Sequence, residues 1–328
     1  MVKKEVILTV ELVSKKITFI DLFAGIGGMR LAFELAGAEC VYTCEIDKAA
    51  MVTYKTNFEV KANEFAPDIT KIKNKALPKH TIMIAGFPCQ PYSIAGLRKG
   101  LADERGQVFN DLLRLIKQSK PEVFLLENVK GIKTHEQGAT FEYILERLKK
   151  LGYTVTHQTL NTATHSNIPQ NRERVFIVGF RDSKVAAKFT FPTEVKLTTK
   201  VNSLLEKKVP AKYYYDDRFD CYTLLKKEMT DKNKVYQWRR QYVRENKSGL
   251  CPTLTANMGS GGHNVPLVLD KKGIRKLTPR ECARFQGFPE SYQLPNLSDS
   301  SLYHQFGNSV TVGVIARIAE QIVKALSI

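Results

Sequence analysis

The sequence lacks the features that mark membrane, zinc-binding or disulfide-bonded secreted proteins. No apolar run approaches the roughly 20 residues of a membrane-spanning helix. None of the 6 cysteines belongs to a Cys-x-x-Cys pair and no two histidines have zinc-ligand spacing, so we expect free thiols and no metal site. The N-terminal stretch has an acidic residue in its short apolar run and no small-residue cleavage site, which disfavours a signal peptide. We therefore expect a cytoplasmic protein in a reducing compartment.

Acidic residues are scarce relative to basic ones. The 328 residues include 33 Asp and Glu against 50 Lys and Arg, which gives a formal net charge of +17. A surplus of this size favours a polyanionic partner, because each Lys or Arg placed on a phosphate can release a condensed counterion. A basic surface that only keeps the protein soluble is the alternative, and charge alone leaves both open.

The first half of the chain alternates short β-prone runs with helix-periodic segments. The runs predicted as strands are 17–23, 39–47, 81–88, 122–129, 154–160 and 174–180, and the predicted helices are 29–37, 108–118 and 141–152. In the first helix, Leu31, Ala32, Leu35 and Ala36 have helical spacing, and Gly37 provides a stop. Alternation of this kind predicts an α/β fold with a mostly parallel sheet and helices on both faces.

The composition changes after about residue 192. Residues 196–250 hold 14 Lys and Arg against 7 Asp and Glu, with aromatic residues interleaved and weak periodicity, and a loop-like segment follows at 253–264. We predict a second, smaller, basic and loop-rich domain over 191–280. Regular structure returns at 310–328, where Ile315, Ile318, Ile322 and Leu326 form one apolar helical face. That face predicts a helix that packs back on the first domain.

Chemically informative residues follow several of the predicted strands. In a doubly wound sheet, ligands bind at the carboxyl ends of the strands, where loops converge. The glycine-rich turn 23–28 follows the first strand, and glycines there let the backbone approach a ligand closely. Glu45 follows the second strand, about 20 positions later, where an acid suits the hydroxyls of a ribose. A solvated strand end is the alternative interpretation of Glu45.

Three further motifs carry candidate catalytic groups. Cys89 lies in a proline-restricted loop (86–96) after a strand, a place that favours a nucleophile over core packing, although lone cysteines are more often buried. Glu127 lies near the end of a very apolar strand, where burying a carboxylate costs free energy, so such a group is expected to be catalytic or paired. Gln170, Arg172 and Arg174 form the third motif, for which a solvated strand start is the alternative.

These motifs occur in the order seen in the cytosine-5 DNA methyltransferase family, which the chain resembles over nearly its whole length apart from roughly 191–250. The motifs that carry the resemblance are FAGIGG (23–28), PCQ (88–90), ENV (127–129), QNRER (170–174), RKLTPRECARFQGFP (275–289) and FGNSV (306–310). The chain is similar to a bacterial modification methylase of minimal size. The resemblance implies a Rossmann-like S-adenosylmethionine-dependent catalytic domain formed by 1–190 and 305–328. It also implies a target recognition domain at 191–280, with a connecting hinge at 281–304.

The resemblance implies roles for individual residues. Cys89 would attack carbon 6 of a flipped-out cytosine, and Glu127 would contact ring nitrogen 3 and the exocyclic amine. Arg174 would hold the carbonyl oxygen of the base. Arg172 would support the loop near the nucleophile, and Asn128 would hold that loop in place. The methyl group would go to carbon 5 of the cytosine.

The cofactor implied is S-adenosylmethionine, with S-adenosylhomocysteine as product and no metal. The residues expected to line its site are Phe23, Ala24, Gly25, Gly27, Gly28, Glu45, Ile46, Asp68, Ile69, Pro88, Val108, Asn308, Ser309 and Val310. Ile46 replaces the aromatic residue that follows the acid in many relatives, and Pro67-Asp68 replaces a Gly-Asp pair. These two departures put tight adenine contact and the role of Asp68 in question.

The partner implied is duplex DNA, bound by a monomer that is associated with the bacterial nucleoid through its DNA and acts beside a cognate restriction endonuclease. The residues expected to contact DNA are Gln90, Ser93, Arg98, Arg239, Arg240, Arg244, Thr253, Leu254, Gly261 and Gly262. Three alternatives are a transfer RNA cytosine-5 methyltransferase, a catalytically dead DNA-binding relative and a dinucleotide oxidoreductase. The DNA-type Thr-Leu segment argues against the first alternative. The intact Cys89, Glu127 and Arg174 argue against the second, and the lack of a Gly-x-Gly-x-x-Gly spacing argues against the third.

Overall fold

The structure, a computed structural model, describes residues 16–73, 76–88, 104–246, 248–259 and 264–327. The strands in these ranges are β1 (Thr18–Leu22), β2 (Glu39–Cys44), β3 (Phe65–Ala66), β4 (Ile82–Gly86), β5 (Val123–Val129), β6 (Thr154–Asn161), β7 (Gln170–Asn171), β8 (Glu173–Phe180), β9 (Val235–Trp238), β10 (Val243–Glu245), β11 (Cys251–Pro252), β12 (Pro266–Leu269) and β13 (Ile274–Lys276). The α-helices are α1 (Gly28–Leu35), α2 (Lys48–Asn57), α3 (Glu104–Ser119), α4 (Ala139–Lys150), α5 (Thr162–His165), α6 (Ser183–Ala186), α7 (Tyr222–Glu228), α8 (Pro279–Phe285), α9 (Asp299–Asn308) and α10 (Val312–Ser327). Short 3-10 helices occupy Ala62–Glu64, Ile69–Lys71, Lys130–Lys133, His135–Gly138, Val201–Leu204 and Ala211–Tyr213.

A large sheet forms the centre of the fold. Its strand order within the described ranges is β3-β2-β1-β4-β5-β8-β6, and every neighbouring pair is parallel except those that β8 makes with β5 and β6. Strands of a parallel sheet that is covered on both faces are near-continuous apolar runs, which is what β4 and β5 are. The predicted mostly parallel sheet is therefore confirmed, and each predicted strand overlaps an observed one.

Alternate residues of the sheet belong to two separate apolar cores. On β4, Ile82 and Ile84 pack with α1 and α10 on one face, whereas Met83 and Ala85 pack with α3 and α4 on the other. This alternation follows from the two-residue period of a strand, and it confirms the prediction of helices on both faces. The carboxyl ends of the parallel strands then meet along one edge.

Helix α10 packs against α1, as the apolar face of the C-terminal segment predicts. Ile315, Ile318 and Ile322 are fully buried in that contact. The face predicted for α1 is confirmed in part, because Ala32 is buried and Leu31 and Ala36 pack against the core, whereas Leu35 is 68% exposed and Met29 and Phe33 are buried instead. The predicted and observed stripes share Ala32, and only the position of the sheet selects between them.

The basic region folds around a small antiparallel sheet of order β10-β9-β12-β13, which the weak sequence periodicity did not predict. One face of this sheet packs with Leu225 and Met229 of the α7 region in a small apolar cluster. The region is tied to the large sheet through the parallel pair β7–β11. The segment 281–304, predicted as a hinge, contains α8 and the start of α9, and Phe285 lies in the main core.

Candidate active site

A cavity of about 400 Å³ lies at the carboxyl ends of β1, β2, β4 and β5. The residues lining it are Phe23, Ala24, Gly25, Ile26, Gly28, Met29, Glu45, Ile46, Asp47, Ala50, Gly86, Phe87, Pro88, Glu127, Asn128, Val129, Arg172, Arg174, His304, Gln305, Gly307, Asn308, Ser309 and Val310. The cavity joins groups that are almost 300 positions apart in the sequence. It holds most of the predicted cofactor residues together with Glu127, Arg172 and Arg174.

The glycine turn and the acid after β2 are in direct contact. The backbone amide of Gly25 donates to Glu45 Oε2 at 2.7 Å, and the amide of Asp47 donates to Glu45 Oε1 at 2.7 Å. Phe23 and Gly25 both have positive φ, of 57° and 54°, and a positive φ is strained for phenylalanine. No atom lies within 4 Å of a Cβ built on Gly25, so the turn leaves open space beside the carboxylate.

This end of the cavity has the chemistry that an adenosine group requires. Partial burial raises the pKa of Glu45 above its usual range, and the two backbone amides oppose that shift. Each carboxylate oxygen keeps a lone pair that could accept a ribose hydroxyl. The side chain of Ile46 stands at the cavity edge, 72% exposed, where it can cover a flat ring.

The remaining predicted cofactor residues fall into two groups. Pro88, Asn308, Ser309 and Val310 line the cavity. The others lie outside its lining: Gly27 caps α1 against Phe58, Asp68 accepts from the Thr70 amide and hydroxyl, and Ile69 and Val108 pack in the core beneath α3.

Glu127 and Arg174 form an ion pair in the deeper part of the cavity. Arg174 Nε lies 3.1 Å from Glu127 Oε1, and both side chains are largely buried. Burial raises the pKa of Glu127 above its usual range, and the guanidinium groups of Arg174 and Arg172 only partly offset the effect. A carboxyl group with a raised pKa keeps its proton to a higher pH than a free carboxyl does, which suits a proton donor.

Asn128 connects β5 to the segment that follows β4. Its Nδ2 donates to the carbonyl oxygen of Phe87 at 3.0 Å, and its Oδ1 accepts from the Val129 amide. The bond fixes the chain immediately before Pro88. The predicted nucleophile and several predicted DNA contacts lie outside the described residues: Cys89, Gln90, Ser93, Arg98, Gly261 and Gly262.

Arg172 is buried and binds backbone carbonyls. It donates to Leu254 O at 2.7 Å, to Gly307 O at 3.3 Å and to Ser309 O. Gln170 supports the same place, because its Oε1 accepts from the Leu254 amide. The motif that contains both residues thus joins the cavity wall to the segment after β11.

A second, polar cavity of about 320 Å³ lies on the other side of that segment. The residues lining it are Asn171, Gln237, Arg239, Arg244, Asn246, Pro252, Thr253, Thr255, Asn257 and Asn264. Arg239, Arg244 and Thr253 were predicted to contact DNA, and Arg240 is exposed on the hairpin turn beside them. Leu254 was placed wrongly among these contacts, because its side chain is 1% exposed and packs in the core.

Sequence reasoning missed His304 and Gln237. His304 lines the first cavity and donates to the carbonyl of Ala256, while Asn308 donates to its other ring nitrogen. The four-residue spacing to Asn308 was the one available signal. For Gln237 the local sequence gives no signal, because nothing in the neighbouring residues predicts a strand that points this side chain towards a cavity.

The part of the chain that the structure describes has neither a cluster of metal-binding side chains nor a membrane-spanning helix. No group of three or more His, Cys, Asp or Glu residues in these ranges is placed to hold a metal ion. No helix there is long and apolar enough to cross a membrane.

Comparison with known proteins identifies the family. The model of the C-5 cytosine-specific DNA methylase family matches residues 17–324. The chain is 50% identical over 311 residues to the Type II methyltransferase M.Bsp6I of Bacillus sp. (strain RFL6), covering 93% of this chain and 98% of that protein. It is 42% identical over 316 residues to the Type II methyltransferase M.DsaV of Dactylococcopsis salina, covering 96% and 88%. The chain belongs to this family and is a DNA cytosine-5 methyltransferase.

A solved structure has the same fold. The Dnmt2 methyltransferase of S. pombe superimposes with a TM-score of 0.74 at 21% identity, covering 95% of this chain and 100% of that one. At this identity the likeness concerns the fold alone.

Proposed function

We propose that the protein transfers a methyl group from S-adenosylmethionine to carbon 5 of a cytosine within a specific duplex DNA sequence. The observation that carries the proposal is that one cavity holds both the Gly25–Glu45 contact and the Glu127–Arg174 pair. The first is suited to a ribose and the second to a pyrimidine ring. A methyl donor and a base bound there would lie next to each other, which is what group transfer needs.

Cytosine carbon 5 is too weak a nucleophile to take a methyl group directly. Covalent addition of the Cys89 thiolate at carbon 6 turns the ring into an enamine, whose carbon 5 is nucleophilic. Glu127 donates a proton to ring nitrogen 3 as negative charge develops, and Arg174 hydrogen-bonds the carbonyl oxygen. The bound cofactor supplies an electrophilic methyl group. Loss of the carbon 5 proton to a base then expels the thiolate and restores the aromatic ring.

The target carbon is hidden inside a duplex, so the base must leave the stack to enter the cavity. Cys89, Glu127 and Arg174 would contact the base, and Glu45 would contact the ribose of the cofactor. Arg172 positions the surrounding segments through three carbonyl contacts.

The work is divided along the chain. Residues 1–190 and 305–328 carry the chemistry, 191–280 recognise the target, and 281–304 connect them. Exchanging 195–275 for the same region of a relative with another specificity should change the methylated sequence and leave the methylated atom and the need for Cys89 unaltered. A folded, active chimaera that keeps the original sequence would contradict the division.

The proposed setting is a bacterial restriction–modification system, because the curated relatives named above are Type II methyltransferases. The enzyme would act as a monomer on cytoplasmic, nucleoid DNA and protect it from a cognate restriction endonuclease. DNA from expressing cells should resist an endonuclease that cuts at the methylated sequence. Cleavage of fully methylated DNA at that sequence would contradict protection.

Bisulfite sequencing of DNA from cells that express the protein tests the activity and gives the sequence at once. Cells expressing Cys89→Ala provide the matched control and should show no methylation. A purified duplex with 5-fluorocytosine at the target should trap a covalent adduct, because fluorine cannot leave as a proton does. Methylation by the alanine variant, or no adduct with the wild type, would overturn the covalent mechanism.

A further inference from the structure

Gln237 and Arg244 face each other across two strands of the small sheet. They are directly paired in the antiparallel register of β9 and β10, so their side chains lie on the same face. Their sequence neighbours Tyr236 and Trp238 pack in the apolar cluster on the opposite face. Both Gln237 and Arg244 line the polar cavity.

Gln237 is largely buried as a residue, yet it lines the polar cavity. The residue is 7% exposed, and no hydrogen bond reaches its amide from the described residues. The amide atoms are not among the fully buried groups that lack a partner in the described ranges, and the residue lines the polar cavity, so the amide is available to a ligand there. The neighbouring buried position on this strand is an ordinary apolar residue, Val235. A ligand that bonds to the amide would explain why glutamine stands here.

Arg244, in contrast, is exposed at the edge of the cavity. No ion pair or hydrogen bond involves its guanidinium among the described residues, and none of those lining the polar cavity is a carboxylate. The adjacent Glu245 is engaged elsewhere, because it accepts from Lys234 Nζ at 2.7 Å. The cavity therefore contains the guanidinium of Arg244, which has no partner among the described residues, beside the Gln237 amide, which has one acceptor and two donors.

The polar cavity shares a wall with the active-site cavity. The segment 253–257 contributes Thr253, Thr255 and Asn257 to the polar cavity. On its other side the same segment is held by Arg172 through Leu254 O and by His304 through Ala256 O. A single segment of the chain therefore separates the two cavities.

We propose that Gln237 and Arg244 together read one G·C base pair of the recognised sequence, other than the target pair. In the major groove, guanine shows two acceptors, O6 and N7, and its cytosine shows one donor, the N4 amine. Arg244 donates to both guanine acceptors, and the amide oxygen of Gln237 accepts from the cytosine amine. The inference rests on the proposed function and adds to it a specific pair of reading residues.

The test combines a base change with a residue change. Each guanine of the methylated sequence is replaced in turn by 7-deazaguanine, which lacks the N7 acceptor, and kcat/KM is measured for wild type, Arg244→Met and the control Arg218→Met. Arg218 is exposed and paired with Asp216, away from both cavities. At one guanine position, 7-deazaguanine should lower kcat/KM of the wild type and of the control about 5- to 100-fold, as expected for the loss of one bidentate contact. Arg244→Met should lose a similar factor on normal DNA and nothing further from the base change.

Gln237→Leu provides the second arm, since leucine suits a position that is nearly buried. The variant should keep the thermal stability of the wild type. The ratio of kcat/KM on a duplex in which that G·C pair is replaced by A·T to kcat/KM on the cognate duplex should be at least about tenfold higher for the variant than for the wild type. The proposal is overturned if Arg244→Met stays as sensitive as wild type to 7-deazaguanine at every guanine. It is also overturned if Arg244→Met weakens binding equally on all sequences and reduces the salt slope by about one, which is the behaviour of a phosphate contact. Absence of any methylation by the wild type would instead contradict the proposed function.

Discussion

The guanidinium of Arg172 donates to the backbone carbonyl of Leu254 at 2.7 Å, across 82 positions of sequence. The same side chain also binds the carbonyls of Gly307 and Ser309, so two separate segments converge on one buried cation. These segments border the target-recognition side and the cofactor side of the active-site cavity. Arg172 thereby couples the two sides without a carboxylate partner of its own.

Arg172→Lys should lower both activity and stability, because an ammonium cannot reach three carbonyls in the geometry of the planar guanidinium fork. We expect kcat/KM to fall about 100-fold and the free energy of unfolding to fall by about 2 kcal/mol, the value of one or two charged hydrogen bonds. Urea unfolding and steady-state kinetics measure the two effects. Arg181→Lys is the control, because Arg181 donates to the Lys120 carbonyl far from the cavity. Wild-type kinetics in Arg172→Lys would refute the coupling.

Glu127→Gln should keep DNA binding and lose about 10²- to 10⁴-fold in turnover, because glutamine cannot donate the proton. Since burial raises the pKa of Glu127, wild-type turnover should decline as pH rises through the elevated pKa, and the variant should lack that decline. Single-turnover rates across pH measure this. Glu146→Gln, which removes only an exposed ion pair with Lys150, should leave the rates unchanged. A loss below about threefold would mean that the carboxyl is structural.

Gly307→Ala should displace the segment after β11. A Cβ on Gly307 would lie 2.1 Å from the carbonyl oxygen of Thr255, closer than any real contact, so backbone must move. Overpacking of this kind costs about 1–3 kcal/mol, and kcat/KM for DNA should fall at least about tenfold. Gly131→Ala is the control, because no atom lies within 4 Å of a Cβ there. Equal behaviour of the two variants in thermal unfolding and methylation would contradict the close approach.

Asp21→Asn should stabilise the protein at high pH. Asp21 is fully buried on β1, and its Oδ1 has no hydrogen-bond partner among the described residues. Burial raises the pKa of this carboxyl to about 8. A raised pKa in the folded state means that the contribution to stability is complete below the unfolded pKa of about 3.9 and is lost as pH rises towards 8.

Asparagine does not ionise, so the variant should escape this loss. We expect the free energy of unfolding of Asp21→Asn to exceed that of wild type at pH 8 by a margin on the order of 5 kcal/mol, and the margin to vanish near pH 4. Thermal unfolding at a series of pH values measures it. A margin that does not change with pH would show that Asp21 titrates normally.

DNA affinity should depend steeply on salt, because a chain of net charge +17 meets a polyphosphate. If about six phosphates are contacted, the slope of log affinity against log salt concentration should be near −5. Fluorescence anisotropy with a labelled duplex between low and moderate salt gives the slope. A slope near zero would mean that the basic residues do not meet DNA.

Local sequence was sufficient for the elements that are buried on both sides or on one long face. The runs that became β4 and β5 are apolar except for Glu127 and Asn128 near the end of β5, and α10 repeats an apolar residue every three or four positions, so burial and periodicity agree. The strands of the small sheet are three or four residues long and mix polar with apolar side chains. Such short segments carry no period, which is why this sheet was not predicted.

The sequence by itself determined which chemical groups are present in the glycine turn, at Glu45 and Glu127 and in the QNRER motif, whereas their reactivity depends on the surroundings that the fold gives them. Only the tertiary structure decided what each residue of that motif contacts. Asn171 lines the polar cavity, whereas the adjacent Arg172 lines the active-site cavity and binds Leu254. Successive residues of an extended chain point in opposite directions, so the wall between two cavities can pass between neighbours in the sequence. Which cavity lies on which side depends on contacts more than 80 positions away, and no local pattern encodes them.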